Sequence, residues 1–377
     1  MMDFSKRYFK YLDYWILLIL LFLGIFSYLG ISSAKPDSSL ATKQMIWYGI
    51  GFFVLLIMLF IDYEVFSHYT YVLYGIGLFL LLLLLIVADK TKGITGWFEF
   101  GSIKFQPSEI MKIITIITLA NYLNKRDEQP FERFIDLYPI FLIVGAPLLL
   151  ILLQPDLGTA LVFISITLSM MLVYGVKFRH FAILGGIGGL GILILAFLYH
   201  FKQALFFKVI EEYQWKRLTS FIDPSSDPLG SGYQITQSLI AVGSGMLKGV
   251  GLHQGRQGRL NWVPEAHTDF IFSVLSEELG FIGSSLLVLL FFLLIYRVVR
   301  IGIEAKDRFG TYVAAGMVGM WVFTIFENIG MTISIMPITG IPLPFVSYGG
   351  SSVLANFISV GLILSIGMRR KTLMFDR

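Results

Sequence analysis

Chemistry in this chain has to come from carboxylates and basic side chains. It has no cysteine, which excludes a thiol nucleophile, a zinc ribbon and a disulfide framework, and its five scattered histidines include no HxxxH pair. The densest titratable stretch is PEAHTDFIFSVLSEELG, residues 264–280, where Glu265, His267 and Asp269 lie at the junction of a loop and a helix. Asp269 there can cap the helix or serve as a general base. In QPDLGT, residues 154–159, Pro155 breaks one helix and Asp156 stands at the start of the next, so capping competes with a role at an exposed site. QPSEIMK puts Glu109 and Lys112 three apart on one helical face, able to pair. The bases Lys216, Arg217, Lys248, Arg256 and Arg259, and the uncharged PLPFVSYGGSS of residues 342–352 with its supporting hydroxyl Ser347, complete the set. A carboxylate beside a basic, wet cavity suits chemistry on an anionic, lipid-tethered substrate.

The elements that must hold these groups lie in a membrane. The chain has 377 residues, 56% hydrophobic and 14% charged, and a mean hydropathy of +0.76, where a soluble domain is about one-quarter charged. Apolar runs predict ten helices near 13–33, 44–61, 69–88, 107–124, 137–153, 157–175, 181–199, 269–296, 310–334 and 350–368, in a single all-α domain over 1–377. With the N-terminus inside, sixteen basic residues fall on cytoplasmic segments: Lys6, Arg7, Lys10, Lys125, Arg126, Arg133, Lys177, Arg179, Arg297, Arg300, Lys306, Arg308, Arg369, Arg370, Lys371 and Arg377. Only Lys35, Lys43, Lys90, Lys92 and Lys104 fall on the short outer loops, so both termini are expected in the cytoplasm. The net charge of +4 follows from this orientation, with no basic stripe for nucleic acid. Lys6, Arg7 and Lys10 before an apolar run ending near Ser32 and Ala34 resemble a signal peptide, but the run is long and others follow it, so a retained helix is expected.

This topology places residues 200–268 outside as a large loop between helices 7 and 8, too long for a mere connector. Aromatic and basic residues alternate from Phe201 to Ile222, which fits either a helix in the headgroup layer or a tilted extension of helix 7. Gly186, Gly188 and Gly191 spell GxGxxG, but inside an apolar span the dinucleotide reading fails; Gly185 and Gly189 at GxxxG spacing suggest close helix packing instead. Glu327 and Asn328 interrupt the ninth span and are expected to bond to other helices.

Together, QPSE, QPDLGT, YQWKR, DPLGSGYQ, PEAHTDFIFSVLSEELG and GIPLPFVSYGGSS resemble, in order and over nearly the whole chain, the signature blocks of the SEDS (shape, elongation, division and sporulation) family, most of all its rod-shape members. The resemblance implies a ten-helix peptidoglycan glycosyltransferase of the bacterial cytoplasmic membrane. It would polymerise lipid II beside a class B penicillin-binding protein that supplies the transpeptidase. Asp269 matches the family's essential aspartate, Glu109 with Lys112 its intramembrane charge pair, Asp156 the acid of QPDLGT and Arg217 the arginine of the YQxxR block. His267, Lys248 and Ser347 are carried as supporting residues. Met246 and Val250 stand where glycine and lysine are expected, and Ser334 replaces a usual glycine. Lipid II presents its sugar on a pyrophosphate that leaves without protonation, so only the base of a glycosidase's two carboxylates is demanded. Departing charge would fall to arginine, lysine or a divalent cation, Mg2+ or Mn2+. A lipid II flippase and a noncatalytic scaffold for cell-wall enzymes remain as alternatives.

Overall fold

A computed structural model describes residues 11–36, 38–87, 96–101, 103–126, 129–256 and 262–370. The expected basic residues Lys6, Arg7, Lys10, Lys90, Lys92, Arg259, Lys371 and Arg377 lie outside that set. The helices are α1 (Tyr14–Ala34), α2 (Leu40–Phe60), α3 (Tyr63–His68), α4 (Thr70–Val87), α5 (Pro107–Lys125), α6 (Tyr138–Leu153), α7 (Leu157–Tyr174) and α8 (Phe178–Phe201). There follow α9 (Gln203–Val209), α10 (Glu212–Ile222), α11 (Ser231–Ser244), α12 (Ile271–Ile303), α13 (Arg308–Thr332) and α14 (Gly350–Met368). Nine candidate spans among the described residues are long and apolar enough to cross a bilayer: α1, α2, α4, α6 with its preceding turn, α7, α8, α12, α13 and α14. The remaining expected crossing, α5, is 19 residues long and carries Glu109 and Lys112 in an otherwise apolar sequence, with most of its residues buried in the bundle. The protein is therefore an all-α polytopic membrane protein.

One end of the bundle is laced by ion pairs. Asp13 caps α1, accepting from the amides of Trp15 and Ile16, and binds the Arg297 guanidinium at 2.5 and 2.8 Å. Lys306 pairs with Glu64 at 2.6 Å, Arg369 with Asp62 at 3.3 Å, Arg370 with Glu304, and the Tyr63 hydroxyl donates to Asp307 at 2.5 Å. These groups close the ends of α1, α2, α12 and α14 on the same side, as the predicted topology requires. The chemistry-bearing motifs lie at the opposite end.

The interior is apolar, with α13 and α14 the most enclosed spans. Phe357 of α14 fills the notch at Gly51 of α2 and meets Tyr48 edge-on at a ring separation of 5.2 Å. A smaller apolar cluster, built from Ala34, Ile235, Val263, Ala266, Phe270, Val274, Met331 and Ile338, lies apart from this core at the motif-bearing end. Burial there anchors the loop segments that α1, α11, α12 and α13 surround.

Several expectations change. The stretch after α8 is no tilted extension of it. The backbone breaks at Lys202, and two short helices follow, fixed by Trp215 of α10 packing on Tyr199 and Phe206 at ring separations of 4.3 and 5.0 Å. Among the glycines of α8, a Cβ at Gly185, Gly186, Gly188, Gly189 or Gly191 would meet nothing within 4 Å, so the predicted GxxxG packing is not found among the described residues. A two-stranded hairpin unforeseen from sequence, β1 (Phe98–Phe100) and β2 (Ile103–Phe105), pairs Glu99 with Lys104. Its register is antiparallel, and Ser351 ties it to the start of α14: the Gln106 amide donates to the Ser351 hydroxyl, which donates to the Lys104 carbonyl.

Helix α12 begins at Ile271 rather than 269 and is broken at Gly280, whose φ of 65° and ψ of −164° are not helical. Residues 281–303 alone, at 1.5 Å per residue, extend about 34 Å and suffice to cross the hydrocarbon. The half-helix 271–279 is thereby released from crossing and presents the residues before it. Into the break packs the loop 245–251: the Phe281 and Ile282 amides donate to the Met246 and Leu247 carbonyls, and those of Val250 and Gly251 donate to the Glu277 and Glu278 carbonyls. A Cβ on residue 280 would lie 2.3 Å from the Gly249 nitrogen, and L side chains disfavour its φ. Gly280→Ala should therefore lower stability by more than about 1 kcal/mol, measured by thermal unfolding in detergent; an unchanged midpoint would show that the loop yields freely.

Candidate active site

The turn that carries Asp269 is irregular backbone. Glu265, at a left-handed φ of 54°, offers its carbonyl to the amides of Thr268, Asp269 and Phe270. This curls the chain just before α12, whose N-cap is Phe270 with no side-chain cap bond, so Asp269 does not act as the cap. The three carbonyls leaving the turn have no helical partner of their own, and each finds one elsewhere. That of His267 accepts from the Tyr348 amide at 3.0 Å. That of Thr268 accepts from the Ser347 hydroxyl at 2.5 Å, and that of Asp269 from the Asn328 side-chain amide at 2.8 Å. Ser347 also accepts from the Leu343 amide at 2.8 Å. It is a supporting residue: it shapes the loop 338–349 and locks it to the turn. Gln44 reinforces the lock from α2, donating to the Ser347 carbonyl at 3.0 Å, while the Tyr48 hydroxyl donates to the Phe345 carbonyl at 2.5 Å.

Across this loop the Asp269 carboxylate approaches a cation. Gly340 is at φ 78°, and a Cβ there would lie 3.4 Å from Asp269 Oδ2 and 3.6 Å from Arg217 Nη1. The carboxylate and the guanidinium therefore border one small space, which a side chain at 340 would fill. Arg217 is steered there by the Ile338 and Thr339 carbonyls, to which Nη1 donates at 3.5 and 3.3 Å, and lies over the Tyr213 ring. Helix α10 is in turn docked on the QPDLGT turn, since the Tyr213 hydroxyl and Gln214 Nε2 both donate to the Pro155 carbonyl, at 2.5 and 3.4 Å.

Asp156 follows directly and does cap α7, accepting from the Thr159 amide at 2.9 Å and its hydroxyl at 2.8 Å. Burial pushes its carboxyl above the ordinary carboxylate range against those two bonds, with Lys112 lowering and Glu109 raising it. The pair Glu109–Lys112, 2.9 Å apart and almost wholly buried, thus neighbours Asp156. Removing one member of such a pair strands the other charge at a cost of about 3–5 kcal/mol. The wall so linked runs from Glu109 and Lys112 to Asp156, through the Pro155 carbonyl that docks α10, to Arg217 and Asp269 beside Gly340, while Ser347 and the His267 carbonyl join the loop to the turn through backbone bonds.

Lys248 does not join them. It is exposed on the loop that fills the Gly280 break, about 16 Å along α12 from Asp269 at 1.5 Å per residue. Arg256 is likewise on that loop, its amide donating to Glu277 at 2.7 Å. Tyr213, Gln214 and Gly340 lie in the quoted YQWKR and GIPLPFVSYGGSS blocks but had no role assigned to them from sequence, and Gln44 was passed over although it is a polar side chain at the head of an apolar run. The departures at Met246 and Ser334 fall on left-handed backbone, φ 48° and 57°, which explains why glycine is the expected residue at both. Among the described residues no three His, Asp or Glu gather as a metal-ligand set.

A polytopic bundle with a buried ion pair, a docked amphipathic arm and a carboxylate facing an arginine at one mouth defines a membrane protein built to handle a polar group at the bilayer surface. A family model described as "Cell cycle protein", covering FtsW, RodA and SpoVE, matches residues 9–372. The chain belongs to this family, the SEDS proteins. It is 39% identical over 359 residues to stage V sporulation protein E of Bacillus subtilis (93% of this chain, 94% of that protein). It is 36% identical over 367 residues to peptidoglycan glycosyltransferase MrdB of Escherichia coli K12 (96% and 95%). Among solved structures it resembles a chain from work on "structural coordination of polymerization and crosslinking by a peptidoglycan synthase complex", with TM-score 0.80, 29% identity, and 95% and 98% of the two chains covered. It also resembles the rod shape determining protein RodA of Thermus thermophilus, with TM-score 0.71, 28% identity, and 96% and 98% covered.

Because the folded-state value of Asp156 is raised, the folded chain holds that proton more tightly than the unfolded chain does. Its contribution to stability is complete below the unfolded carboxylate value and is lost as pH rises through the folded one. The melting temperature of Asp156→Asn should therefore gain on that of the native chain as pH rises from about 4 to 8; a constant difference would refute the assignment.

Proposed function

We propose that this chain is a peptidoglycan glycosyltransferase that polymerises lipid II into glycan strands for cell-wall elongation and cell shape. The observation that carries the reading is the carboxylate of Asp269 facing Arg217 across Gly340 at the mouth of the bundle. Asp269 takes the proton of the acceptor GlcNAc 4-hydroxyl as that oxygen attacks the donor MurNAc anomeric carbon, inverting it. The pyrophosphate leaves unprotonated, so a second carboxylate is not required. Its charge falls to Arg217, with the buried Lys112 further along the same wall. The described residues do not themselves assemble a site for Mg2+ or Mn2+, and no step is assigned to a divalent cation. A flippase would hold its substrate near the midplane between repeated halves, whereas these groups gather at one end.

The likeness to a chain of a peptidoglycan synthase complex supports a working partner, for which a class B penicillin-binding protein supplies the crosslinking. The location that suits both is the bacterial cytoplasmic membrane, with both termini cytoplasmic and residues 200–268 outside. The bias of basic residues supports this orientation, as does the ion-pair belt at the end remote from the site. Single cysteines introduced into this cysteine-free chain should be labelled from outside at position 248 and not at 126 or 370; the reverse pattern would overturn the orientation.

Asp269→Asn preserves size and removes the proton acceptor. The purified variant should be folded, bind its partner and yet make no polymer from lipid II, a loss of at least about 100-fold. Near-native polymerisation would sink the assignment and leave Asp156 as the carboxylate to test as base.

A further inference from the structure

We infer that Asn328 is a positioning residue for the transfer reaction, setting the separation between Asp269 and the loop that holds Arg217. The inference rests on the reading of Asp269 as the base. Asn328 is fully buried in α13, about one turn from its outer end at Thr332, and its single Nδ2 donates to the Asp269 carbonyl and the Ile341 carbonyl, each at 2.8 Å. Both partners are carbonyl oxygens, which only accept, so the atom facing them must be the amide nitrogen, and both of its hydrogens are used. The amide oxygen is buried with no hydrogen-bond donor, so the side chain's contribution is concentrated in its two donors.

What the fork spans matters more than its strength. Asp269 is one residue before the start of α12's cap, and Ile341 follows Gly340, whose missing side chain leaves the gap between Asp269 Oδ2 and Arg217 Nη1. Asn328 therefore grips the backbone of the carboxylate-bearing turn and the backbone beside the gap, from a rigid helix behind both. Ser347 and Tyr348 hold the adjacent Thr268 and His267 carbonyls, but they belong to the loop itself and move with it. Only the grip from α13 refers the two edges of the gap to a third body. Misplacing reacting groups by about 1 Å costs on the order of 100-fold in rate, while the lipid tail and sugar contacts that set binding are untouched.

The test uses the full-length protein purified with its class B partner and lipid II as substrate. Asn328→Asp and Asn328→Leu both remove the two donors at similar volume, one adding an acid and the other leaving the site apolar. Each should lower kcat by about 10- to 100-fold with KM within about threefold, in protein that melts as a folded species and still binds its partner. Asn328→Ser, which keeps one donor, should fall between these and the native chain. Native kcat in folded Asp or Leu variants, a change confined to KM, or a loss that only tracks the folded fraction would each overturn the inference. If neither variant folds, the same split read on Asn328→Ser decides it, native kcat again overturning it. Asp269→Asn measured in parallel separates the two ideas. If it stays active, the reading of the base fails; if it is inactive while the Asn328 variants turn over normally, only the positioning role fails.

Discussion

The fold at the site depends on satisfying three consecutive backbone carbonyls, those of His267, Thr268 and Asp269, where the chain is neither helix nor strand. A carbonyl left unpaired where it is buried costs about 1–3 kcal/mol. Tyr348, Ser347 and Asn328 supply the three donors from two segments distant in sequence. Meeting that demand draws the loop 338–349 against the turn, and the loop then needs its own partners from α1 and α2, where Ser27, Gln44 and Tyr48 provide them. Backbone satisfaction thus propagates from the Asp269 turn to α1, α2 and α13.

Electrostatics follows the same geometry. Ionised groups in a medium of low dielectric interact strongly and are expensive to leave alone, which is why Glu109 and Lys112 occur as a pair. Placed behind Asp156 and the Pro155 carbonyl on which α10 docks, that pair is a neutral, stiff foundation under the arm that bears Arg217. Asp269 is different. It is only partly buried, and its carboxylate and the Arg217 guanidinium border the small space left by the missing side chain of Gly340.

Much of this was legible in the sequence because membrane burial writes long apolar runs and because charges within them need a reason. The ten crossings, the shared side of Asp13, Arg297, Glu304 and Arg369, and the grouping of Asp156, Arg217 and Asp269 all follow from those two facts. The Gly280 break was not legible: SEELGFIG has helical apolar spacing on both sides of the glycine, and the reason for the break is a close backbone approach from residues 245–251 that periodicity does not encode. The hairpin at 98–105 was hidden by its brevity, and Lys248 was misplaced because a loop's charge says which side of the membrane it occupies but not which part of that side. Asn328 was legible as a hydrogen-bonding residue, yet its two acceptors could be named only from the structure.

The two edges of the gap at Gly340 differ in how firmly they are held. Asp269 is fixed by the Glu265 turn, three carbonyl clamps and the apolar cluster around Phe270 and Ile338. Arg217 rides on α10, whose buried residue among the described side chains is Ser220, and the chain reaches it from α8, which is almost wholly exposed on its long face. The ties of α10 include the bonds of Tyr213 and Gln214 to one carbonyl, two long bonds from the Arg217 guanidinium, the Ser220–Ser231 contact and the packing of Trp215 on Tyr199 and Phe206. Segments with few buried contacts open at lower free energy than those within a packed core. In the proposed reaction, a firmly held Asp269 opposite a more easily displaced Arg217 would let donor and growing chain be exchanged by movement of α10, while the carboxylate stays within reach of the attacking hydroxyl.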